Sequence, residues 1–347
     1  MLFTPMLSTA LMLFQAGGTT PAPPAPATAA PTMEVRALRE TQAVASAKDA
    51  ADDPAIWRDS LHPERSLIVA TDKKAGLNVY DLSGRLRASY AAGRVNNVDL
   101  REVSVPGGRR IIVAASDRND KTQGHVALFT LDPATAALTP LARIPAGPGE
   151  AYGFCLYRPR RGPLQAFVVM KEGAIVQLSI DPIAANAKLL RTMKLATQSE
   201  GCVADDRTDT LYVAEEDVGI WRFDARAEGA REGKLVAPAD GVRLVADTEG
   251  LAIAARGRRG GWLLASSQGD SAYAAWRLPD MRYAGRFRVV DGVVDGTSET
   301  DGIEISTKGF GPDFPRGIMI VQDGDNAPEA QNFKLIRWDA VRRALRR

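Results

Sequence analysis

Histidine and cysteine are almost missing from this chain of 347 residues, which holds two of each. So few imidazoles leave little for a histidine-based metal centre. Neither His62 nor His125 stands in an Arg-His-Gly context, which removes the mechanism of histidine acid phosphatases. Cys155 and Arg161 share the Cys-x5-Arg spacing of cysteine phosphatases. A reactive thiolate of that kind needs a glycine-rich loop of backbone N–H groups at a helix N-terminus. Here the intervening residues include Pro159 and no glycine, and Cys155 falls inside the strand-like run AYGFCLY, so the spacing is a coincidence. Cys155 and Cys202 admit two readings, a disulfide in an oxidising compartment or two buried strand thiols. An excess of either charge is missing as well: 44 basic residues face 42 acidic ones, a net charge of +2. With no long basic run, nothing global argues for nucleic acid or for an anionic membrane, and any charge that matters is local.

Long apolar runs are also scarce. The one exception is the start, MLFTPMLSTALMLFQAGG, which reads as an export signal over residues 1–16, although its n-region lacks Lys and Arg. It is too short and too broken for a membrane span. Residues 17–33, rich in Pro, Ala and Thr, read as a disordered linker, and 34–347 as the folded domain. The expected location is secreted or periplasmic.

Past residue 50, helical periodicity is nearly absent. Short β-rich runs alternate with turn signals, which predicts an all-β chain. Aligned on their openings, the runs fall into six units beginning near DDPAIW (52), NNVDLR (96), EAYGFCLY (150), SEGCVADD (199), TEGLAIAA (248) and TDGIEIS (300). A period of this size marks propeller blades. Each unit repeats a first strand, an apolar second strand such as SLIVAT or GIMIVQ, a polar knot and a third strand such as LNVYDL or FKLIRW. Fourth strands are less distinct. The expected architecture is a six-bladed β-propeller of mostly four-stranded antiparallel blades, with short, protected sheet edges. Two stacked sandwiches would not explain six copies of one plan.

In such a blade the start of strand one and the end of strand two meet at the same end. Two sets of side chains therefore converge on one mouth of the channel. The first holds Asp52, Asp53, Asn96, Asn97, Asp99, Glu150, Glu200, Asp247, Glu249 and Asp301. The second lies in TDKKAG (71), SDRND (116), KEG (171), EED (215), SSQGD (266) and QDGDN (322). Blades one to three contribute Lys73, Lys74, Arg118 and Lys171, whereas blades four to six contribute carboxylates and amides. Crowded carboxylates raise one another's pKa unless cations neutralise them. Carboxylates and amides without His or Cys suit hard ions, with Ca²⁺ the natural choice. Lys and Arg beside such ions suit a multiply charged anion, most simply phosphate. Glycine after the acid in SEG, TEG and TDG reads as a residue chosen for backbone conformations closed to others.

At these residues the chain resembles the β-propeller phytases, the calcium-dependent alkaline phytase family. DDPAIW, ATDKKAGLNVYDL, NNVD, YGF, KEG, SEG with ADD, YVAEED with IW, ASSQG, TDGI, QDG and QNFK stand in the family's order over about residues 35–340. The resemblance implies hydrolysis of phytate (inositol hexakisphosphate) as its calcium complex, by direct attack of a calcium-bridging water, with several Ca²⁺ ions as cofactors. Carried over by motif, the calcium ligands are Glu40, Asp53, Glu200, Glu216, Asp247, Glu249, Gln268, Asp295, Asp301, Asp325 and Asn326. The phosphate clamp is Lys73, Lys74, Arg118, Lys171 and Tyr152, with Asn96, Asn97 and Glu172 beside it. Lys73, Arg118, Lys171, Glu200 and Glu216 are the expected catalytic set. The loops APEAQNFK and IPAGPG are shorter than the family's, and Asp325 stands where the family often has Glu. A gluconolactonase-like propeller with one axial metal, or a non-catalytic calcium-binding propeller, would explain the carboxylates but not the four cations. No nucleic acid partner and no membrane span in the mature chain are expected, and a monomer is the default.

Overall fold

The structure, a computed structural model, describes residues 30–346. The export segment and the linker up to residue 29 lie outside the described residues. The remainder is the expected six-bladed β-propeller. Blade one comprises Ala51–Trp57, Leu67–Asp72, Gly76–Asp81 and Leu86–Tyr90. Blade two is Val95–Val105, Gly108–Asp117, Gln123–Leu131 and Leu138–Pro148. Blade three is Ala151–Tyr157, Leu164–Met170, Ala174–Asp181 and Asn186–Lys194. Blade four is Ser199–Asp205, Thr210–Glu215, Gly219–Asp224 and Lys234–Pro238. Blade five is Thr248–Arg256, Gly260–Ser267, Ala272–Leu278 and Arg282–Val290.

Blade six departs from the plan. The chain supplies Ile303–Ser306, Ile318–Asp323 and Asn332–Arg337, and the fourth strand comes from the other end of the sequence, Arg39–Glu40. Just before it, Thr32–Arg36 adds a fifth, parallel strand to blade five against Arg282–Val290. This strand begins two residues inside the segment read as linker. The N-terminal segment thus stitches the last two blades together. A short helix, Trp338–Ala344, packs beneath them, with Trp338 edge-on to Trp262 at 5.9 Å between centroids. No helix among the described residues is long and apolar enough to cross a membrane.

Blade packing explains the pattern of the strands. Second strands are covered on both faces, and Leu67–Asp72, Leu164–Met170 and Ile318–Asp323 are buried at every position. That burial removes the period-2 alternation and leaves a continuous apolar run. Outer strands such as Leu86–Tyr90 are half-covered and mixed, so they leave a weak trace in the sequence. Between blades three and four, Phe167, Val169 and Ile175 meet Leu211, Val213 and Phe223. The same two blades are joined by a disulfide between Cys155 and Cys202, Cα atoms 5.7 Å apart, on their first strands. First strands contact one another in sequence around the ring, and blade six closes onto blade one. They therefore line the central channel.

Candidate active site

The first strand of each of the first five blades opens with a β-bulge. In blade one Ala51 pairs with Asp72 and Pro54 with Ala70, so two residues on one strand face one on the other; the same shift occurs at Val95/Val98, Ala151/Gly153, Ser199/Cys202 and Thr248/Leu251. Bulges bend a strand and re-aim a side chain. The first bulged residues, with Asp301 of blade six, make an inner ring: Asp52, Asn96, Tyr152, Glu200, Glu249 and Asp301. The register corrects one expectation. Glu150 is not blade three's ring residue; Tyr152 is, and Glu150 stands two places earlier, paired with Arg118 at 2.6 Å.

A second ring sits directly above the first. The backbone N–H groups of Lys73, Arg118, Lys171, Glu216 and Gln268 donate to the carbonyls of Ala50, Arg94, Glu150, Gln198 and Asp247, at 2.7, 3.0, 3.0, 3.0 and 2.9 Å. Each acceptor lies two residues before its blade's ring residue, so these five side chains occupy one structural position. Three blades place a cation there and two place Glu or Gln. Arg118 and Lys171 flank the Tyr152 ring, 5.0 and 4.8 Å from its centroid. Arg118 also donates to Asn96 Oδ1 at 2.5 Å, and Asn96 Nδ2 donates to Glu200 Oε1 at 2.7 Å, which links the two halves of the mouth.

The glycines after four of the ring residues have a reason other than the expected one. None of Gly153, Gly201, Gly250 and Gly302 lies in the left-handed region. Instead, a Cβ on each would strike the next blade: Glu200 O at 1.8 Å, Glu249 O at 2.1 Å, Asp301 O at 2.6 Å and Asp52 O at 2.6 Å respectively. Removing the Cβ lets consecutive first strands close up, which brings their acids together.

Electrostatics follow from that crowding. Glu200, Glu216 and Glu249 are buried, and each offers a carboxylate oxygen within 4.8 Å of the others. Burial, then the charges of Asp52 and Asp301, hold the Glu200 pKa well above its ordinary value. Burial and the neighbouring Glu200, Asp301 and Glu216 do the same to Glu249, and burial raises Glu216. Asp301 is pushed up to about 7, again chiefly by burial. Lys73 answers this charge, with Nζ 2.6 Å from Asp49, 3.2 Å from Asp52 and 3.0 Å from Asp301. Burial works against its ammonium, but the surrounding carboxylates outweigh burial and raise its pKa. Glu249 Oε2 is buried without a hydrogen-bond partner. A buried oxygen-only donor set with an orphaned carboxylate oxygen fits a hard divalent cation. The cavity over these residues measures about 700 Å³ and is walled by Tyr152, Gln198, Asp247, Gln268 and Gln322 as well.

Other expected residues gather elsewhere. Glu40, Asp295 and Asn326 converge with Asp323 on the buried ammonium of Lys334, which lies 2.5 Å from Glu40, 3.1 Å from Asp323 and 3.2 Å from Asn326 Oδ1. Asp325 is exposed and borders that group with Asp295. Asp53 lies below the ring, where its carboxylate accepts from Val98 N–H at 2.9 Å. Burial raises its pKa well above the ordinary range, with Asp52 adding to the effect. Asn97 reaches Asp52 at 3.5 Å, and Asp99 is held by Arg101 at 2.7 Å and Leu156 N–H at 2.8 Å. Gln268 donates to Asp301 at 2.5 Å. Lys74 is exposed and donates to the Ala47 carbonyl at 2.6 Å, and Glu172 is exposed beside Gly149.

Three supporting contacts have roles that the sequence does not assign. Gln198 donates to both oxygens of Glu216 at 2.8 and 2.7 Å, Asp49 shares Lys73, and Gln322 receives the Asp301 N–H at 2.8 Å. Hydroxyls near the ends of second strands fix the ring backbone. Thr71 accepts from Asp53 N–H at 2.9 Å, Ser116 accepts from Asn97 N–H at 3.0 Å and donates to Tyr152 O at 2.7 Å, and Ser266 donates to Asp301 O at 2.7 Å. A hydroxyl recurring late in an otherwise apolar run was the signal that could have found them.

A family model described as Phytase matches residues 3–347. A curated 3-phytase of Bacillus subtilis (strain 168) is 40% identical over 326 residues, which covers 90% of this chain and 85% of that protein. Among solved structures, the soluble aldose sugar dehydrogenase of Escherichia coli, in its apo form, aligns with a TM-score of 0.51 and 14% identity over 87% of this chain and 98% of that one. At that identity it speaks to the fold alone.

Proposed function

The chain belongs to the phytase family and is a phytase, and we propose that it takes phytate as a calcium complex, with calcium held by Glu200, Glu216 and Glu249 and the phosphates by Lys73, Arg118 and Lys171. The single observation that carries this reading is the shared structural position of Lys73, Arg118, Lys171, Glu216 and Gln268, which divides five blades into a side with three cations and a side with oxygen donors. Bound calcium would supply an acidified water and offset the charge of the phosphoryl oxygens. The remaining work belongs to the chain. Lys171 and Arg118, set by the Tyr152 ring between them, orient a phosphate on the cationic side. Guanidinium and ammonium groups pair with phosphate oxygens in charge-assisted hydrogen bonds. Gln198 fixes Glu216, and Asn96 fixes Glu200, so that both carboxylates hold their orientation toward Glu249. Asp247 and Gln268 line the same wall and extend the oxygen donor set. Lys73 and a divalent cation are alternative counter-charges for Asp52 and Asp301.

The products are phosphate and a lower inositol phosphate. A lactonase-like or non-catalytic propeller gives no role to three cations at one ring position. Phosphate release from phytate, measured after chelation and again after calcium is restored, tests the reading. Loss and recovery are expected. Full release under chelation would remove calcium from it.

A further inference from the structure

The face opposite the carboxylate mouth has a charge of its own. Strand one starts and strand two ends at the mouth, so every hairpin between them turns at the far face. Because first strands line the channel, these six hairpins also lie nearest the axis. In blades two, three and five they read 106-PGGRR-110, 158-RPRRG-162 and 256-RGRRG-260, without an acid. Arg110, Arg160, Arg161, Arg258 and Arg259 are exposed, and none forms an ion pair among the described residues. Arg109 beside them reaches only Glu102, at 3.5 Å. Blade six adds the exposed Lys308 and Arg316, while its hairpin acid, Asp313, is taken by Arg39. Blade one adds the exposed Arg65, next to an exposed Glu64. Hairpins that need only be soluble mix their charges. The outer hairpins of the same face do so, pairing Asp81 with Arg85, Asp224 with Arg226 and Asp280 with Arg282.

We infer that this face docks on an anionic phospholipid surface and turns the carboxylate mouth toward solution. Five of the six hairpins present exposed cations on this face. The blade four hairpin, 205-DDRTD-209, is acidic, but Asp205 is paired with Arg207, Asp206 with Arg101, and Asp209 accepts from the Tyr157 hydroxyl. Cations on the other five tips meet a plane of headgroups together. Each cation near an anionic leaflet adds to the attraction. Leu61, at the tip of the blade one hairpin, is 82% exposed and provides an apolar side chain at the same level. Single-stranded nucleic acid is disfavoured because it requires exposed aromatic platforms. The aromatic residues of these hairpins, Phe310 and Phe314, are buried. Repulsion between the lipid and the mouth's carboxylates sets the orientation, and soluble phytate then meets an open mouth.

The test is co-sedimentation of the full chain with phosphatidylcholine vesicles, with and without phosphatidylglycerol, in the presence of a chelator that prevents calcium bridging. Binding is expected only where phosphatidylglycerol is present, and it should fall as salt screens the charges. Arg160→Gln with Arg161→Gln, and separately Arg258→Gln with Arg259→Gln, should each weaken partition by about fivefold per arginine. Both double variants should release phosphate from soluble phytate as the parent does, which shows that they are folded. Equal binding to phosphatidylcholine alone, undiminished binding by both double variants, or retention by duplex DNA without retention by phosphatidylglycerol vesicles would overturn the inference.

Discussion

An ideal Cβ on Gly201 falls 2.1 Å from the carbonyl oxygen of Glu249 on the next blade. The spacing of the acid ring is therefore set by backbone contact between neighbouring first strands. Gly201→Ala should force blades four and five apart, at a cost of about 1–3 kcal/mol, as overpacking does elsewhere. Denaturant unfolding measures the cost, and calcium affinity should fall with it. An unchanged unfolding midpoint would show that the ring tolerates the wider spacing.

Lys73→Met and Arg118→Ala both remove a cation from the phosphate side of the mouth, but only Lys73 also neutralises ring carboxylates. Each should lower kcat/KM for phytate by about 100-fold, the scale of losing one charge-stabilising donor. Their effects on calcium should differ. Lys73 neutralises Asp52 and Asp301, so Lys73→Met should bind calcium at least as tightly as the parent. Weaker calcium binding by Lys73→Met would contradict its assignment as a competing counter-charge.

The ion-free protein should lose stability as pH rises. Asp301 stands at about 7 against an ordinary 3.8, and Asp52, Glu200 and Glu249 are displaced in the same direction. The folded chain then binds more protons than the unfolded chain between about pH 4 and 7, which makes stability decline across that window. Depressed acids such as Asp117 titrate below it. Tm in chelator should be lower at the upper end of the window than at the lower end. Saturating calcium should abolish or reverse the trend, since it binds the ionised carboxylates. A rise of Tm with pH in chelator would contradict the crowding of these groups.

The N-terminal strands should matter more than their length suggests. Truncation to residue 31 leaves both strands in place. Truncation to residue 41 removes Thr32–Arg36 and Arg39–Glu40, uncovers the edge of blade six and leaves Lys334 without Glu40. The longer truncation should be insoluble or unfold at much lower temperature, and the shorter one should match the full chain. Equal stability would show that the ring closes without these strands.

The sequence disclosed the six blades because second strands, buried on both faces, leave apolar runs that repeat. It disclosed the division of charge because one backbone position recurs at the knots of blades one to five. Blade six's fourth strand escaped because it is two residues long and nearly 300 residues away from its partner. The sequence reads Tyr152 as substrate-binding and Glu150 as blade three's opener, whereas the fold puts Tyr152 in the ring. The register at a bulge cannot be seen in a string of letters, and an acid two places before the ring position looks like the other openers. Lys334 read as one residue of a strand, and only the fold surrounds it with Glu40, Asp295 and Asp323. The arginines of the far face occur two or three at a time, so a balanced composition concealed a surface that the hairpins assemble.

Glu249 bears most directly on the central claim, because its Oε2 is buried and unpartnered at the centre of the acid ring. The decisive measurement is calcium binding by titration calorimetry for Glu249→Gln, which keeps the side chain's size and removes its charge. Affinity should fall by about tenfold or more, the scale of one lost charged contact, and calcium-dependent phosphate release should fall with it. Stability in chelator should hold or rise, since one repelling carboxylate is gone. Calcium affinity and phosphate release equal to the parent's would contradict calcium coordination by the ring.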